Sequence, residues 1–249
     1  MKKIICIVNR KGGVGKTATA WTLGAGLIKR GERVLYVDLD SQCNLTFDMG
    51  VDDAESSSME VLTNETDIRR AICHTELGDI IPGSPELAAA DQVIDSTGKE
   101  YRLKEALEQV EKDYDYVIID TPPALGTLTV NALTAGDWVI VPVQAEVHSL
   151  QGISLLVDAV KPVKKYCNPK IEIKGILITR YNGRSIISRD MHSNLEEVAA
   201  QIGTKLFRTN IRECTALKEA QAVQQNIFDY APKSNAAADY SSFIDEVLE

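Results

Sequence analysis

One stretch of this chain, residues 9–17, constrains its fold and chemistry more than any other. It reads NRKGGVGKT, follows an apolar run at residues 4–8 that is typical of a buried strand, and precedes an amphipathic run at residues 18–29 that is typical of a helix. In a strand–glycine loop–helix unit, backbone N–H groups and the first helical turn surround an anion. Lys16 is then expected to reach the terminal phosphates of a nucleotide, and the Thr17 hydroxyl to face Mg²⁺.

The loop departs from the strict phosphate-loop pattern at one position and adds a lysine. The pattern places a glycine five residues before Gly15, where this chain has Arg10, and a second lysine, Lys11, stands at the loop entrance. This deviant Walker A loop resembles that of the ParA/MinD family of ATPases. The resemblance implies that ATP is bound by Lys11, Gly12, Gly13, Val14, Gly15, Lys16, Thr17 and Ala18.

Two further segments end an apolar strand pattern with an aspartate. Residues 37–44 read VDLDSQCN, and residues 116–123 read YVIIDTPP, which is typical of a Walker B strand ending at Asp120. Carboxyl ends of parallel strands lie beside the phosphate loop in such folds, so we expect Mg²⁺ to be held by Thr17, Asp40 and Asp120. Both segments resemble the family, in which the aspartate matching Asp40 positions the hydrolytic water. The family's usual Pro-Gln-Gly-Asn is Ser-Gln-Cys-Asn here.

Lys11 is expected to have a role of its own, because Lys16 already binds the phosphates of a nucleotide in the chain's own loop. A second cation at the outer edge can neutralise phosphate charge on a facing subunit, as an arginine finger does. In the family, two subunits enclose two ATP molecules and exchange this lysine. The resemblance therefore implies an ATP-dependent homodimer whose catalytic residues are Lys11, Lys16 and Asp40.

Strand patterns alternate with helical patterns along nearly the whole chain. The strands are predicted at residues 3–8, 33–39, 116–120, 138–143, 173–179 and 205–211, with a further short one at 79–82. The helices are predicted at residues 17–29, 99–111, 129–135, 150–165, 186–201 and 215–225. We expect an α/β fold, namely a doubly wound, mostly parallel sheet with helices on both faces, of the P-loop NTPase kind. No linker interrupts the pattern, so residues 1–249 are predicted to form a single ATPase domain.

Charge is distributed unevenly along the sequence. The chain has a net charge of −9, yet residues 161–218 contain twelve Lys/Arg and five Asp/Glu, a local excess of +7. This asymmetry permits a cationic face on an acidic protein, although ordinary solvated helix surfaces would give the same count. No apolar run approaches the ~18–20 residues of a membrane span.

Three kinds of family member share the deviant loop. Iron–sulfur ATPases need paired cysteines, whereas the five cysteines here are scattered and form no CxxC pair, as expected of reduced thiols in a cytoplasmic protein. Membrane-surface switches such as MinD need a basic amphipathic tail, whereas residues 236–249 have four acidic residues and no Lys/Arg. We therefore expect a docked surface helix there and no membrane partner.

The remaining kind is a DNA-bound segregation ATPase that works with a ParB-like centromere-binding protein. Residues 182–185 match the loop that carries a DNA-contacting arginine in the family, which makes Arg184 the first candidate, although a solvated loop residue is also a plausible interpretation. Arg212 and Lys218 are the other candidate DNA contacts. Asn210 and Arg212 fall where the family holds adenine, and Asn182 follows the preceding strand, although an ordinary loop is an equally good interpretation of each. The chain starts at its first strand, so no N-terminal helix-turn-helix is expected.

These observations favour an ATP-dependent DNA partitioning ATPase in the cytoplasm, associated with the nucleoid. Its ATP dimer would bind DNA without sequence preference and would be released by partner-stimulated hydrolysis. One alternative is a MinD-like positioning switch that acts on a membrane or protein scaffold. Another is a P-loop ligase or kinase for a small molecule, which would need a substrate pocket in place of the self-dimer.

Overall fold

The sheet of this protein places several strand ends at one edge. The computed structural model describes residues 1–146 and 149–249. Its strands are β1 (Lys3–Ile7), β2 (Val34–Asp38), β3 (Cys73–Thr75), β4 (Gly78–Ile81), β5 (Tyr116–Asp120), β6 (Trp138–Gln144) and β7 (Glu172–Thr179). They form one seven-stranded sheet in the order β3-β4-β2-β5-β1-β6-β7. Pairing is parallel except between β3 and β4.

The helices cover both faces of this sheet. They are α1 (Lys16–Ile28), α2 (Asn44–Asp48), α3 (Ser58–Thr63), α4 (Ile68–Ala71), α5 (Ala90–Val93), α6 (Arg102–Glu108), α7 (Thr127–Ala135), α8 (Ser149–Tyr166), α9 (Ile186–Gln201), α10 (Thr215–Ala222), α11 (Ile227–Tyr230) and α12 (Asn235–Leu248). Short 3₁₀ turns precede α5 and α6, at Pro85–Ala89 and Lys99–Tyr101.

Side chains alternate in direction along each strand, which divides the core between the two faces of the sheet. Cys6 of β1 faces a cluster built with α6, α7 and α8, whereas its neighbours Ile5 and Ile7 face a cluster built with α1 and α12. Successive side chains of a strand point to opposite faces, so both faces of a central strand must be apolar. The predicted doubly wound, mostly parallel α/β fold is confirmed.

Most predicted elements are present, but one predicted strand is not. Residues 205–211 run beside β7, where Leu206 makes an isolated bridge to Ile176, and a second isolated bridge joins Arg212 to Tyr181 just beyond them. Arg208 and Thr209 donate their N–H groups to the carboxylate of Glu246 in α12, so the segment bends away from regular pairing. The prediction of a strand there was wrong, because β7 accepts the N–H groups of Phe207 and Ile211 whereas α12 accepts two of those between them. The docked helix predicted for the tail is present as α12.

The short strand predicted at residues 79–82 is present as β4, but some other short elements were not predicted. β3 was not, and it turns into β4 through Gly78, whose φ of 123° favours glycine. α2 to α5 are each six residues or shorter, too short for a helical period to show in the sequence.

In the described ranges, the structure has no helix with both the length and the apolar character needed to span a bilayer.

Candidate nucleotide site

The glycine loop between β1 and α1 has an open backbone with two left-handed glycines. Gly13 and Gly15 have φ values of 73° and 86°, in the left-handed region that favours glycine. A Cβ atom built on Gly12 or Gly13 would meet no described atom within 4 Å, so the space above the loop is free. α1 begins directly after Gly15, which adds the free N–H groups of its first turn, Ala18 included. A loop of this shape is suited to an anion.

Side chains from neighbouring strand ends hold the loop in place. Asn9 donates to a carbonyl of β6 at 2.6 Å, and its Oδ1 accepts the N–H of Lys11 at 3.0 Å. Gln144, at the end of β6, and Thr179, at the end of β7, donate to two loop carbonyls at 3.0 Å and 2.7 Å. Sequence reasoning missed these three supports. Their only signal was position, since Gln144 and Thr179 each end a strand.

Thr17 and Asp120 meet directly below the loop. The Thr17 hydroxyl donates to Asp120 Oδ2 at 2.6 Å. Asp120 is completely buried, and its Oδ1 has no hydrogen-bond partner among the described residues. Burial raises the pKa of Asp120 to about 8, and the nearby Asp38 carboxylate adds to the rise. A buried, half-satisfied carboxylate beside a hydroxyl fits Mg²⁺, which prefers oxygen ligands and a compensating charge.

Lys16 lies in the same buried region. Only 7% of the residue is exposed, and burial lowers the pKa of its ammonium group, opposed by the charges of Asp120 and Asp40. A cation held at low exposure beside carboxylates is ready to exchange them for phosphate oxygens. The structure therefore brings Lys16, Thr17, Asp40 and Asp120 together, as the sequence predicted.

The two aspartates that follow β2 have different surroundings. Asp38 is fully buried and accepts from the Thr46 N–H and hydroxyl at 2.9 Å and 2.7 Å. It also accepts the Asp40 N–H at 3.0 Å, and burial raises its pKa to about 6. Among the described residues, Asp40 Oδ1 accepts the Gln42 N–H alone, at 3.1 Å. Asp40 is 8% exposed and borders a cavity of about 370 Å³ whose lining includes no residue of the glycine loop. Asp38 therefore organises the loop, whereas Asp40 keeps the capacity to accept further hydrogen bonds.

Cys43 occupies the position where the resembling family has glycine. Its φ is 53°, in the left-handed region, and its N–H donates to the Asp40 carbonyl at 2.9 Å. A non-glycine residue held there costs on the order of 1 kcal/mol, which the turn and the start of α2 must offset. The loop therefore keeps the glycine-type turn in spite of the substitution.

Lys11 points away from this buried group. Its ammonium contacts the Glu146 carboxylate, and the two side chains are 36% and 51% exposed. The second lysine of the motif is thus held at the rim of the site. Sequence reasoning did not single out Glu146.

The expected base-binding segment lies beside the end of β7. Ile211 donates its N–H to the Ile178 carbonyl at 2.8 Å, and Tyr181 donates to the Ile211 carbonyl at 2.9 Å. Asn210 Oδ1 is buried and has no partner among the residues that the structure describes. Arg212 already has a partner. Its guanidinium donates to both carboxylate oxygens of Asp239, at 2.6 Å and 2.9 Å. That pair reduces the charge that Arg212 can offer to a base or to DNA.

The other two candidate DNA residues are exposed. Arg184 lies in the loop before α9, where its N–H donates to Asn182 Oδ1 at 3.1 Å. Lys218, in α10, is 62% exposed, with its ammonium 3.9 Å from Glu213. Neither long side chain is buried by the fold, which leaves both able to reach a ligand.

Known proteins are similar to this chain over nearly its whole length. A family model described as an AAA domain matches residues 2–173. The sporulation initiation inhibitor protein Soj of Bacillus subtilis is 40% identical over 99% of this chain and 98% of its own length. The chain belongs to the ParA/Soj family of P-loop ATPases. The chromosome partitioning protein ParA of Myxococcus xanthus is 36% identical, over 99% of this chain and 88% of its own.

Solved structures with the same fold belong to proteins of several names. A Mycobacterium smegmatis protein named cobyrinic acid a,c-diamide synthase, with bound ADP and magnesium, has a TM-score of 0.87 at 35% identity and covers 100% of this chain and 94% of its own. Apo McdA from Cyanothece has a TM-score of 0.89 at 25% identity, covering 100% of both chains. The cell division ATPase MinD of Pyrococcus furiosus reaches 0.81 at 26% identity, covering 100% of this ParA/Soj-family chain and 99% of MinD.

Proposed function

We propose that this protein is a DNA-partitioning ATPase that binds Mg-ATP at the glycine loop, dimerises around it and holds DNA in that state. The observation that carries the proposal is the pair of lysines in one loop, with Lys16 buried beside Asp120 and Lys11 at the rim against Glu146. A small-molecule kinase needs only the first lysine. A lysine presented outward is useful when a second nucleotide faces the loop.

Each buried side chain has a proposed part in the reaction. Thr17 and Asp120 would hold Mg²⁺, whose charge would offset that of the β- and γ-phosphate oxygens. Lys16 would bind the same oxygens from the protein side. Asp40 would accept a hydrogen bond from the attacking water and orient it, since its charge acts on both Lys16 and Asp120 and its carboxylate has one described donor, the Gln42 N–H. Asp38 would keep Asp40 in place through the Asp40 N–H.

Asn210 is proposed to recognise the base. Its buried Oδ1 is an acceptor without a donor among the described residues. Adenine presents an amino donor at position 6, whereas guanine presents a carbonyl acceptor there. An unpaired buried acceptor would therefore favour ATP over GTP, since a facing carbonyl would leave both groups unsatisfied.

Lys11 is proposed to act across the dimer. Its contact with Glu146 is exposed, and exposed ion pairs contribute only about 0–1 kcal/mol. Exchange of Glu146 for the phosphates of a facing subunit would therefore cost little. The result would be two ATP molecules enclosed between two chains, with hydrolysis dependent on the dimer.

DNA binding is proposed to follow from the dimer. The +7 excess over residues 161–218 and the exposed Arg184 and Lys218 support a cationic surface on each subunit. Phosphate contacts are weak singly and depend steeply on salt, so joining two surfaces raises the affinity without sequence preference. Release by a ParB-like partner that stimulates hydrolysis, and association with the nucleoid in the cytoplasm, complete the proposal. Residues 1–249 would serve as one ATPase domain.

Two other functions have specific support. The MinD structure favours a positioning switch on a membrane or protein scaffold. The protein named cobyrinic acid a,c-diamide synthase favours a small-molecule amidation enzyme. α12, which carries Asp239, Asp245 and Glu246 and no Lys/Arg, speaks against an anionic lipid surface.

One experiment separates the three. Size-exclusion chromatography with light scattering, with ATP or ADP, reports dimerisation, and fluorescence anisotropy on two unrelated DNA duplexes at several salt concentrations reports binding. The partitioning proposal expects an ATP-specific dimer that binds both duplexes alike. A monomer in ATP favours the small-molecule enzyme, and an ATP dimer that ignores DNA at low salt favours the positioning switch.

A further inference from the structure

Two carboxylates of α12 hold the segment that carries Asn210. Glu246 accepts the N–H groups of Arg208 at 2.8 Å and Thr209 at 3.1 Å, and Asp239 accepts the N–H of Arg212 at 3.0 Å. The Glu246 and Asp239 side chains are only 5% and 11% exposed. Their spacing of seven residues places both on one face of the helix, two turns apart.

The same helix is fixed to the helix of the phosphate loop. The hydroxyl groups of Tyr240 and Thr19, the latter in α1, lie 3.2 Å apart in the buried core. Close packing reinforces this contact, because a Cβ on Gly26 of α1 would come within 2.2 Å of Ile244. Asp239 and Tyr240 are consecutive, so adjacent residues of α12 contact the expected base segment and the helix that begins at Lys16.

Asn210 therefore lies in a backbone that α12 fixes on both sides. The N–H groups before it go to Glu246, and those after it go to the Ile178 carbonyl and to Asp239. Carboxylates that accept backbone N–H groups make charge-assisted bonds, which are stronger and more directional than neutral ones. Their removal would let the segment move while the phosphate loop, built on β1 and α1, stayed intact.

We propose that Asp239 and Glu246 are positioning residues for base recognition: α12 fixes the Asn210 segment at a set distance from the phosphate loop and thereby sets the preference for ATP. The inference rests on the proposed function, since it takes the loop as the phosphate site and Asn210 as the base contact. It assigns to α12 a part in nucleotide selectivity beyond covering the core.

The test measures the binding of Mg-ATP, Mg-GTP and inorganic tripolyphosphate to the full chain by calorimetry. Asp239→Asn and Glu246→Gln are each expected to weaken ATP binding by about tenfold and to reduce the ATP-over-GTP preference by a similar factor. Tripolyphosphate, which has no base, should bind the variants and the wild type alike. A general loss of structure would instead weaken all three ligands together.

Asp245→Asn is the matched control, because Asp245 lies on the same helix and its side chain is 66% exposed. Among the described residues it pairs with the Arg30 side chain and not with the base segment. It should keep the wild-type preference. Tyr240→Phe, which removes a single hydroxyl, covers the case in which the carboxylate variants do not fold, and it should weaken ATP binding by about threefold with tripolyphosphate unchanged.

The outcomes separate this inference from the proposed function. The inference is overturned, and the ATPase proposal left intact, if folded Asp239→Asn and Glu246→Gln keep the wild-type preference for ATP. If those two variants do not fold, the same result in Tyr240→Phe overturns it. Equal binding of ATP and GTP by the wild type would also overturn it. If the wild type does not bind ATP, both this inference and the proposed function are overturned.

Discussion

The Lys11 ammonium contacts the Glu146 carboxylate of its own chain, at the rim of a site whose other lysine, Lys16, is buried. The two cations of one loop thus have opposite surroundings. Lys16 is available only to a nucleotide bound in its own loop. Lys11 is available to whatever approaches the rim, because its exposed ion pair is weak.

Lys11→Ala is expected to keep ATP binding and to lose both ATP-dependent dimerisation and hydrolysis, with turnover falling by about 10³-fold or more, as for other cations supplied in trans. Calorimetry, light scattering and phosphate release measure the three properties. Lys29→Ala is the control, since Lys29 also pairs with a carboxylate, Asp229, but at the far end of α1. Normal dimerisation and turnover in Lys11→Ala would show that the outward lysine has no role across subunits.

Asp40→Ala should bind Mg-ATP and dimerise, because Thr17 and Asp120 remain, but its hydrolysis should fall by about 10²–10⁴-fold, the range for a lost general base. The ATP dimer should therefore accumulate, and single-turnover phosphate release with light scattering would detect it. Asp38→Asn provides the contrast, since Asp38 is tied to Thr46 and its loss should lower stability first. An unchanged hydrolysis rate in Asp40→Ala would move the catalytic role to another group.

Arg184→Ala should weaken binding to all DNA sequences alike and spare the ATP dimer. Each phosphate contact contributes about −0.9 to the slope of log affinity against log salt, so loss of one per subunit should flatten the slope by about 1.8 for a dimer. Lys112→Ala controls for net charge, because Lys112 lies just before β5, at the amino ends of the strands. If the two variants change the slope equally, the effect is one of overall charge and the Arg184 contact is rejected.

Asp48 should make this protein less stable as the pH rises. Burial raises its pKa to about 7, with Asp38 adding to the rise, and its main partner is the Gln221 amide at 2.7 Å. Because this pKa is above the unfolded value of 3.8, the native state holds its proton longer, and the free energy of unfolding falls from about pH 4 to pH 7. Above pH 7 the native state carries the full free-energy cost of keeping the Asp48 carboxylate ionised in the interior.

Asp48→Asn removes that penalty and should raise the free energy of unfolding at pH 8 by about 4 kcal/mol, with little change at pH 4. Urea unfolding at a series of pH values measures it. Asp53→Asn, at an exposed position, should match the wild type throughout. Parallel pH curves for Asp48→Asn and the wild type would show that the Asp48 carboxyl is not the source of the pH dependence.

Local sequence determined the fold class and the buried half of the site. The apolar runs that end at Asp120 and near Asp40 predicted β5 and β2 directly, because a strand buried on both faces must be apolar throughout. The glycines at positions 13 and 15 gave the loop, because its left-handed backbone excludes most other residues. Lys16, Thr17 and Asp120 meet because parallel strands bring their carboxyl ends to one edge.

Tertiary structure alone decided which groups support those residues. Glu146 is 135 residues from Lys11, and Asp239 is 27 from Arg212, so no periodic pattern connects either pair. Residues 205–211 have the composition of a strand, yet the N–H groups of Arg208 and Thr209 are satisfied by Glu246 of α12, and this acceptor interrupted the pairing with β7. Sequence therefore determines what depends on nearest neighbours along the chain. Hydrogen bonds between distant residues exist only once packing has brought donor and acceptor together.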